Sequence, residues 1–165
     1  MPLGRPNVEW LDARGRIEGL LRASKYRKDP EIAEQARQAL ERRMPLLLDT
    51  LQSRNVRHIV LARDCFRQIG EPAVPFLADV VAHGDAGRRQ DATHLLGEVG
   101  LPSVLPALRE AARDRDSGVR LIAVRSLTNV STPEADDALQ TALRDRDETV
   151  RLAAMKALTK RGRTL

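Results

Sequence analysis

The 165 residues are enough for one compact domain or a short repeat array with a continuous core. Apolar residues make up 42% and aromatics only 2%, so the core must be built from Leu, Ala, Val and Ile, a composition suited to closely packed helices. No apolar run approaches the roughly 20 residues of a membrane span, and the first residues lack the apolar stretch of a signal peptide. The single cysteine, Cys65, cannot form an internal disulfide, which makes a reducing cytoplasm the expected location, with no membrane contact.

In chain order, residues 1–14 read as a short N-terminal cap segment in which Val8, Trp10 and Leu11 can cover a first hairpin. From residue 15 onward the pattern is helical, with no strand signal. First helices are expected near 15–25, 45–53, 73–83, 103–113 and 134–144. Second helices are expected near 30–43, 56–69, 87–99, 117–130 and 148–161. Val119, Ile122, Ala123, Ser126, Leu127 and Val130 follow the i, i+3, i+4, i+7 spacing of one helical face. Thr132 can cap a helix with Pro133 at its first position, and Pro45, Pro72 and Pro102 fall at equivalent junctions, where a missing N–H costs nothing. Gly70 and Gly100 suit helix ends that need positive φ.

These helices come in repeats. RDRDSGVRLIAVRSL at 113–127 and RDRDETVRLAAMKAL at 144–158 run in register at an offset of 31, sharing Asp116/Asp147, Val119/Val150, Arg120/Arg151, Ala123/Ala154 and Leu127/Leu158. Weaker copies place Asp85, Arg89, Ala92 and Leu96, then Asn55, Ala62 and Phe66, then Asp29, Ile32, Ala36 and Leu40 in the same slots. Five copies result, at about 15–43, 45–70, 72–100, 102–131 and 133–162, within one repeat domain over 15–165. One hairpin cannot bury its apolar face alone, but stacked hairpins share a core.

DRDSGVRLIAVRSL, DRDETVRLAAMKAL and KDPEIAEQARQAL resemble the HEAT repeat, in particular the short HEAT-like repeats of phycobilin lyase subunits. The resemblance implies an all-α fold, a right-handed α-solenoid of about five stacked helical hairpins. It also implies that the Arg after the Val pairs with loop acids and ties neighbouring repeats together. Arg120 and Arg151 match that place, with Asp116 and Asp147 as the matching ladder acids, and Arg89 matches with Arg88 replacing the Val. Ile59 and Ala33 depart from it. The scaffold itself does not specify a function.

Chemistry of the enzymatic kind is hard to find. His58, His83 and His94 form no ligand cluster and lack the His-Glu pairs of the iron-binding HEAT-repeat hydroxylases, so no metal or cofactor is expected. Cys65 falls in an inward slot. GDAG at 84–87 reads as a turn, and the few aromatics do not suggest a lesion-binding glycosylase, since Phe66 and Phe76 take core slots. The chain is therefore expected to be non-catalytic.

Two surface features bear on partners. The formal charge is +5, and the excess sits in residues 1–70, with 14 Lys/Arg against 9 Asp/Glu. Arg63, Arg67, Arg89, Arg120 and Arg151 line the second helices, with Arg37, Arg125, Lys156 and the tail residues Lys160, Arg161 and Arg163. Such a row can follow a phosphate backbone, although interleaved acids and a ladder role for Arg89, Arg120 and Arg151 argue for a structural reading. The second feature is apolar: Leu121 with Val124, and Leu152 with Met155, bordered by Arg125 and Lys156. Exposed, this strip would take a peptide or helix partner; buried, it would be contact between repeats. The expected function is a protein-binding scaffold or adaptor acting through the concave face of the second helices. Nucleic-acid backbone binding and an accessory role in a bilin-lyase-type enzyme are the alternatives, and the oligomeric state stays open.

Overall fold

The computed structural model describes residues 5–162, and among them it contains eleven α-helices and no strand. The short helix α1 spans Val8–Ala13. Five hairpins follow: α2 (Ile17–Ser24) with α3 (Pro30–Glu41), α4 (Met44–Thr50) with α5 (Val56–Ile69), α6 (Ala73–His83) with α7 (Ala86–Val99), α8 (Leu105–Ala111) with α9 (Ser117–Leu127), and α10 (Pro133–Ala142) with α11 (Glu148–Lys160). Each lies where the periodicity predicts it. The fourth first-helix starts late, because Pro102–Val104 form a single 3₁₀ turn before α8.

The second helices begin alike for one chemical reason. Asp29, Asn55, Asp85, Asp116 and Asp147 each sit in extended backbone and accept a hydrogen bond from an N–H of the following first turn, satisfying a donor that the helix itself cannot pair. Thr132 caps α10 through Ala135 N–H, with Pro133 at its first position, as the sequence predicts. Gly70 (φ 71°) and Gly100 (φ 64°) end α5 and α7 in backbone that side-chain-bearing residues avoid.

The chain divides into two compact units that meet at Ala73/Val74. In the first, α2 lies along α3, α4 along α5, and α3 and α5 are neighbours. Leu20, Ala36, Leu40, Ala62 and Phe66 are fully buried there. Helix α1 packs on α2 and α3, and Asp12 at its end pairs with Arg42 (2.9 Å) and Arg43 beyond α3. In the second unit, α7 lies along α9 and α9 along α11, with α8 and α10 on the other side of the same core. Leu96, Leu108, Val119, Ala123, Leu127, Leu139, Val150 and Ala154 are among its fully buried residues. The approach of α7 to α9 is close enough to require Gly97: a Cβ there would stand 2.2 Å from Ser126 Oγ.

Candidate functional site

The Arg of the repeat ties hairpins together as the resemblance implies, but through different acids from those expected. Arg89 on α7 sends Nε and an NH₂ group to the two oxygens of Asp114, at 2.7 and 2.8 Å. Arg120 on α9 does the same to Asp145, at 2.8 and 2.9 Å. The remaining guanidinium nitrogen of Arg120 donates to the carbonyls of Asp114 and Arg115, in the turn that starts its own helix. Asp116 and Asp147 are not the ladder acids. They meet no repeat Arg and act as helix caps, accepting from Val119 N–H and Thr149 N–H, although Asp116 Oδ1 also accepts from Gln90 Nε2 of the preceding hairpin at 3.0 Å. Burial by itself would raise the carboxyls of Asp114 and Asp145. The guanidinium hydrogen bonds, together with the N–H groups of Asp116 and Asp147, outweigh it and hold both below the usual carboxylate range.

Arg151 differs from the other two. Its NH1 donates to the carbonyls of Asp145 (2.9 Å) and Arg146 (3.2 Å), matching Arg120, but among the described residues no carboxylate meets it.

The expected partner-binding strip separates into two surfaces. Val124 is completely buried, and Thr93, one repeat earlier, is too. Val124 shares the stripe of α9 that carries Arg120 toward Asp145, so it is contact between repeats and not interface, correcting the expectation. Met155, in the same slot of α11, is 38% exposed. Leu121 is half-buried, whereas Leu152 is 43% exposed. Leu152 lies in a groove between α9 and α11 together with Ala153, Thr149, Asn129, Arg125, Lys156 and Lys160. The groove therefore gathers Arg125, Leu152 and Lys156 from the strip and leaves Leu121, Val124 and Met155 outside. Lys160 is a rim residue that the strip did not include. No carboxylate is among the described lining residues, so an apolar floor meets a rim of three cations.

The expected phosphate-contacting row does not survive as a row. Arg89 and Arg120 are each 4% exposed and committed to aspartates, so they cannot reach a phosphate without breaking a buried pair. Arg67 is exposed but pairs with Asp64 on its own helix, Arg37 pairs with Glu34, and Arg63 is half-buried. Arg161 folds back to Asp136 and to the carbonyls of Leu127 and Val130, while Arg163 lies outside the described residues. A denser cationic cluster occurs elsewhere. Arg109, Arg113, Arg115, Arg144 and Arg146, all exposed, surround a hollow at the turns of the last two hairpins. Two of its three acids, Asp114 and Asp145, are neutralised by the ladder. The signal was in the sequence, since both turns read RDRD.

Other chemistry is sparse. Cys65 is fully buried, and its thiol is pushed up to about 12, mainly by burial and secondarily by Asp64. Among the described residues no group of three or more His, Cys, Asp and Glu side chains could hold a metal ion. No described helix is long and apolar enough to cross a membrane. A cavity in the first unit, missed by sequence reasoning, is lined by Trp10, Leu11, Ile17, Leu46, Leu47 and Leu61 with Arg16, Arg22 and His58.

The fold is shared with solved structures. Human deoxyhypusine hydroxylase, in complex with glycerol, is similar at a TM-score of 0.57 and 24% identity, over 92% of this chain and 65% of that one. Kap95p, whose binding induces the switch loops of RanGDP to adopt the GTP-bound conformation, is similar at 0.50 and 16%, over 96% of this chain and 25% of that one. An engineered protein matches at 0.50 and 18%, over 94% and 84%. The chain thus spans about two thirds of the hydroxylase and a quarter of Kap95p, and identities this low speak for the fold alone. No curated protein matches the chain. The family model for HEAT repeats matches residues 44–127 and 110–164, and with the paired helices and the Arg–Asp ladder this places the chain in the HEAT-repeat family.

Proposed function

We propose that this HEAT-repeat chain is a non-catalytic scaffold that holds an acidic, leucine-bearing segment of another protein in the groove between α9 and α11. The observation that carries the reading is Leu152, a large apolar side chain 43% exposed beside Arg125, Lys156 and Lys160 with no carboxylate among the described lining residues. Apolar burial supplies affinity, and the cationic rim selects acidic neighbours and speeds encounter. Cys65 is fully buried with its thiol pushed up by burial, which makes it a poor nucleophile in the folded chain. A cytoplasmic location remains the expectation set by the single cysteine.

A second reading is favoured by one specific observation, the five exposed arginines around the RDRD turns. It moves polyanion binding from the second helices to the turns between helices.

Fluorescence anisotropy separates the two. The probes are a labelled helical peptide with leucines on one face and glutamates on the other, its Leu→Ser counterpart, and a labelled DNA duplex, each at low and near-physiological salt. The groove reading expects micromolar binding of the leucine peptide, weakened at least tenfold by Leu152→Glu with Lys156→Glu and lost with the serine peptide. Failure to bind at either salt, or binding indifferent to both substitutions, overturns it. Steeply salt-dependent duplex binding, removed by Arg113→Glu with Arg144→Glu, would establish the second reading.

A further inference from the structure

The cavity of the first unit has the make-up of a small-molecule site. Its volume of about 560 Å³ falls within the roughly 300–1,000 Å³ of pockets that bury a small ligand. Helices α1 and α2 form one side, and α4 and α5 form the other. Trp10, Leu11, Ile17 and Leu61 are only half-buried, and Leu46 is 59% exposed, so apolar surface is left open to water. Leu47 and Ala62, both buried, lie deepest.

The walls are held by contacts of their own. Asp12 anchors α1 through Arg42 and Arg43, and Arg43 also donates to the Asp12 carbonyl. Gly19 leaves on α2 the space that the Leu11 side chain fills. Arg14 lies over the Trp10 ring, 4.7 Å from its centroid. The apolar surface is therefore set before any ligand arrives, which lowers the ordering cost of binding.

The polar groups fix the kind of ligand. The Thr50 hydroxyl is spent on the Leu46 carbonyl of its own helix, and Arg22 faces Glu18 one turn away at 3.7 Å. Arg16, exposed at the turn between α1 and α2, meets no carboxylate among the described residues. A cation without a counterion beside an apolar hollow calls for a single negative charge on an apolar body. We infer that this cavity binds a small amphipathic monoanion of the alkyl carboxylate class, its chain against Trp10, Leu46 and Leu61 and its head at Arg16. A polyanion fits less well, because Glu18 lines the same cavity. The cavity shares no residue with the α9/α11 groove, so the inference goes beyond the proposed function and stands or falls without it.

Trp10 is the chain's single tryptophan, and its emission reports on the cavity directly. The full chain is titrated with octanoate, decanoate and dodecanoate below their micelle-forming concentrations, followed by Trp10 emission and isothermal calorimetry. We expect one saturable site that tightens about two- to fourfold with each added methylene. Dodecanoate should half-saturate it below roughly 100 µM. Arg16→Glu should weaken dodecanoate about fivefold or more by removing the charge-assisted contact. Leu46→Asp should weaken it by a similar factor through lost apolar contact and added repulsion. Both positions are exposed, so circular dichroism should show both variants folded as the wild type is. Dodecyltrimethylammonium, the same chain with the opposite charge, should bind more weakly than dodecanoate by about fivefold or more. Leu152→Glu with Lys156→Glu, in the second unit, should leave the titration unchanged. No saturable signal up to roughly 1 mM, binding indifferent to both Arg16 and Leu46, or equal binding of the alkyl cation overturns the inference. A Trp10 shift with vesicles of anionic phospholipid, but none with the free carboxylates, overturns it in favour of a membrane surface.

Discussion

Replacing Arg120 by Met should be among the most damaging single changes in the second unit. The substitution keeps much of the aliphatic stem but removes a guanidinium that makes two hydrogen bonds to Asp145, at 2.8 and 2.9 Å, and two more to the carbonyls of Asp114 and Arg115. The side chains of the pair are 5% and 10% exposed, so Asp145 would be left as a buried charge without its counterion. Breaking such a pair costs about 3–5 kcal/mol, most of it the desolvation of the orphaned partner. For a protein of this size that corresponds to a melting temperature lower by roughly 6–20 °C. Arg151→Met is the matched control, because Arg151 has the same stem and slot but meets no carboxylate among the described residues, and its loss should cost under about 1 kcal/mol. Urea unfolding followed by circular dichroism gives both numbers. Arg120→Met with Asp145→Leu should recover much of the loss, since an apolar pair leaves no stranded charge. Equal costs for Arg120→Met and Arg151→Met, or no recovery in the double variant, would refute the ladder as an energetic link and leave it a geometric one.

Stability should fall on acidification, with the sign fixed by the lowered carboxyls of Asp114 and Asp145. Their contribution is fully present above the unfolded value of about 3.9 and is lost as pH drops through the lower folded values; thermal melts of the wild type and of Asp145→Asn from pH 6 downward should converge at the acid end. Gly97→Ala should destabilise by about 1–3 kcal/mol, because the added carbon would stand 2.6 Å from Ser126 Cβ as well as against its hydroxyl, and Ser126→Gly should restore part of the loss in the same unfolding assay. Cys65 should resist a thiol reagent at pH 8 in the folded chain and react promptly in urea, since its thiol is pushed up to about 12 mainly by burial; prompt reaction in the native state would contradict the packing around it.

The helices and their pairing were legible because each rests on local chemistry. Caps at Asp29, Asn55, Asp85, Asp116 and Asp147 and prolines at the opening turns mark helix starts whatever packs beside them. Burial along one helix was harder to read. Val124 and Met155 occupy the same slot, yet one is sealed and the other 38% exposed, because their exposure depends on the neighbour and not on the helix itself. For the same reason the strip read from the sequence mixed groove residues such as Leu152 with residues of a contact between repeats.

The acids that pair with the repeat arginines are hidden from spacing for a different reason. RDRD places two aspartates in register with every arginine, and spacing within one repeat cannot choose between them. Comparison across joints can. An Asp or Asn stands at the cap place in all five hairpins, including those whose predecessor lacks the arginine, so it answers to its own helix. The place two residues earlier is Ser53 or His83 where no arginine precedes and Asp114 or Asp145 where one does, so it answers to its neighbour. A residue whose identity follows the hairpin before it reports contact between hairpins.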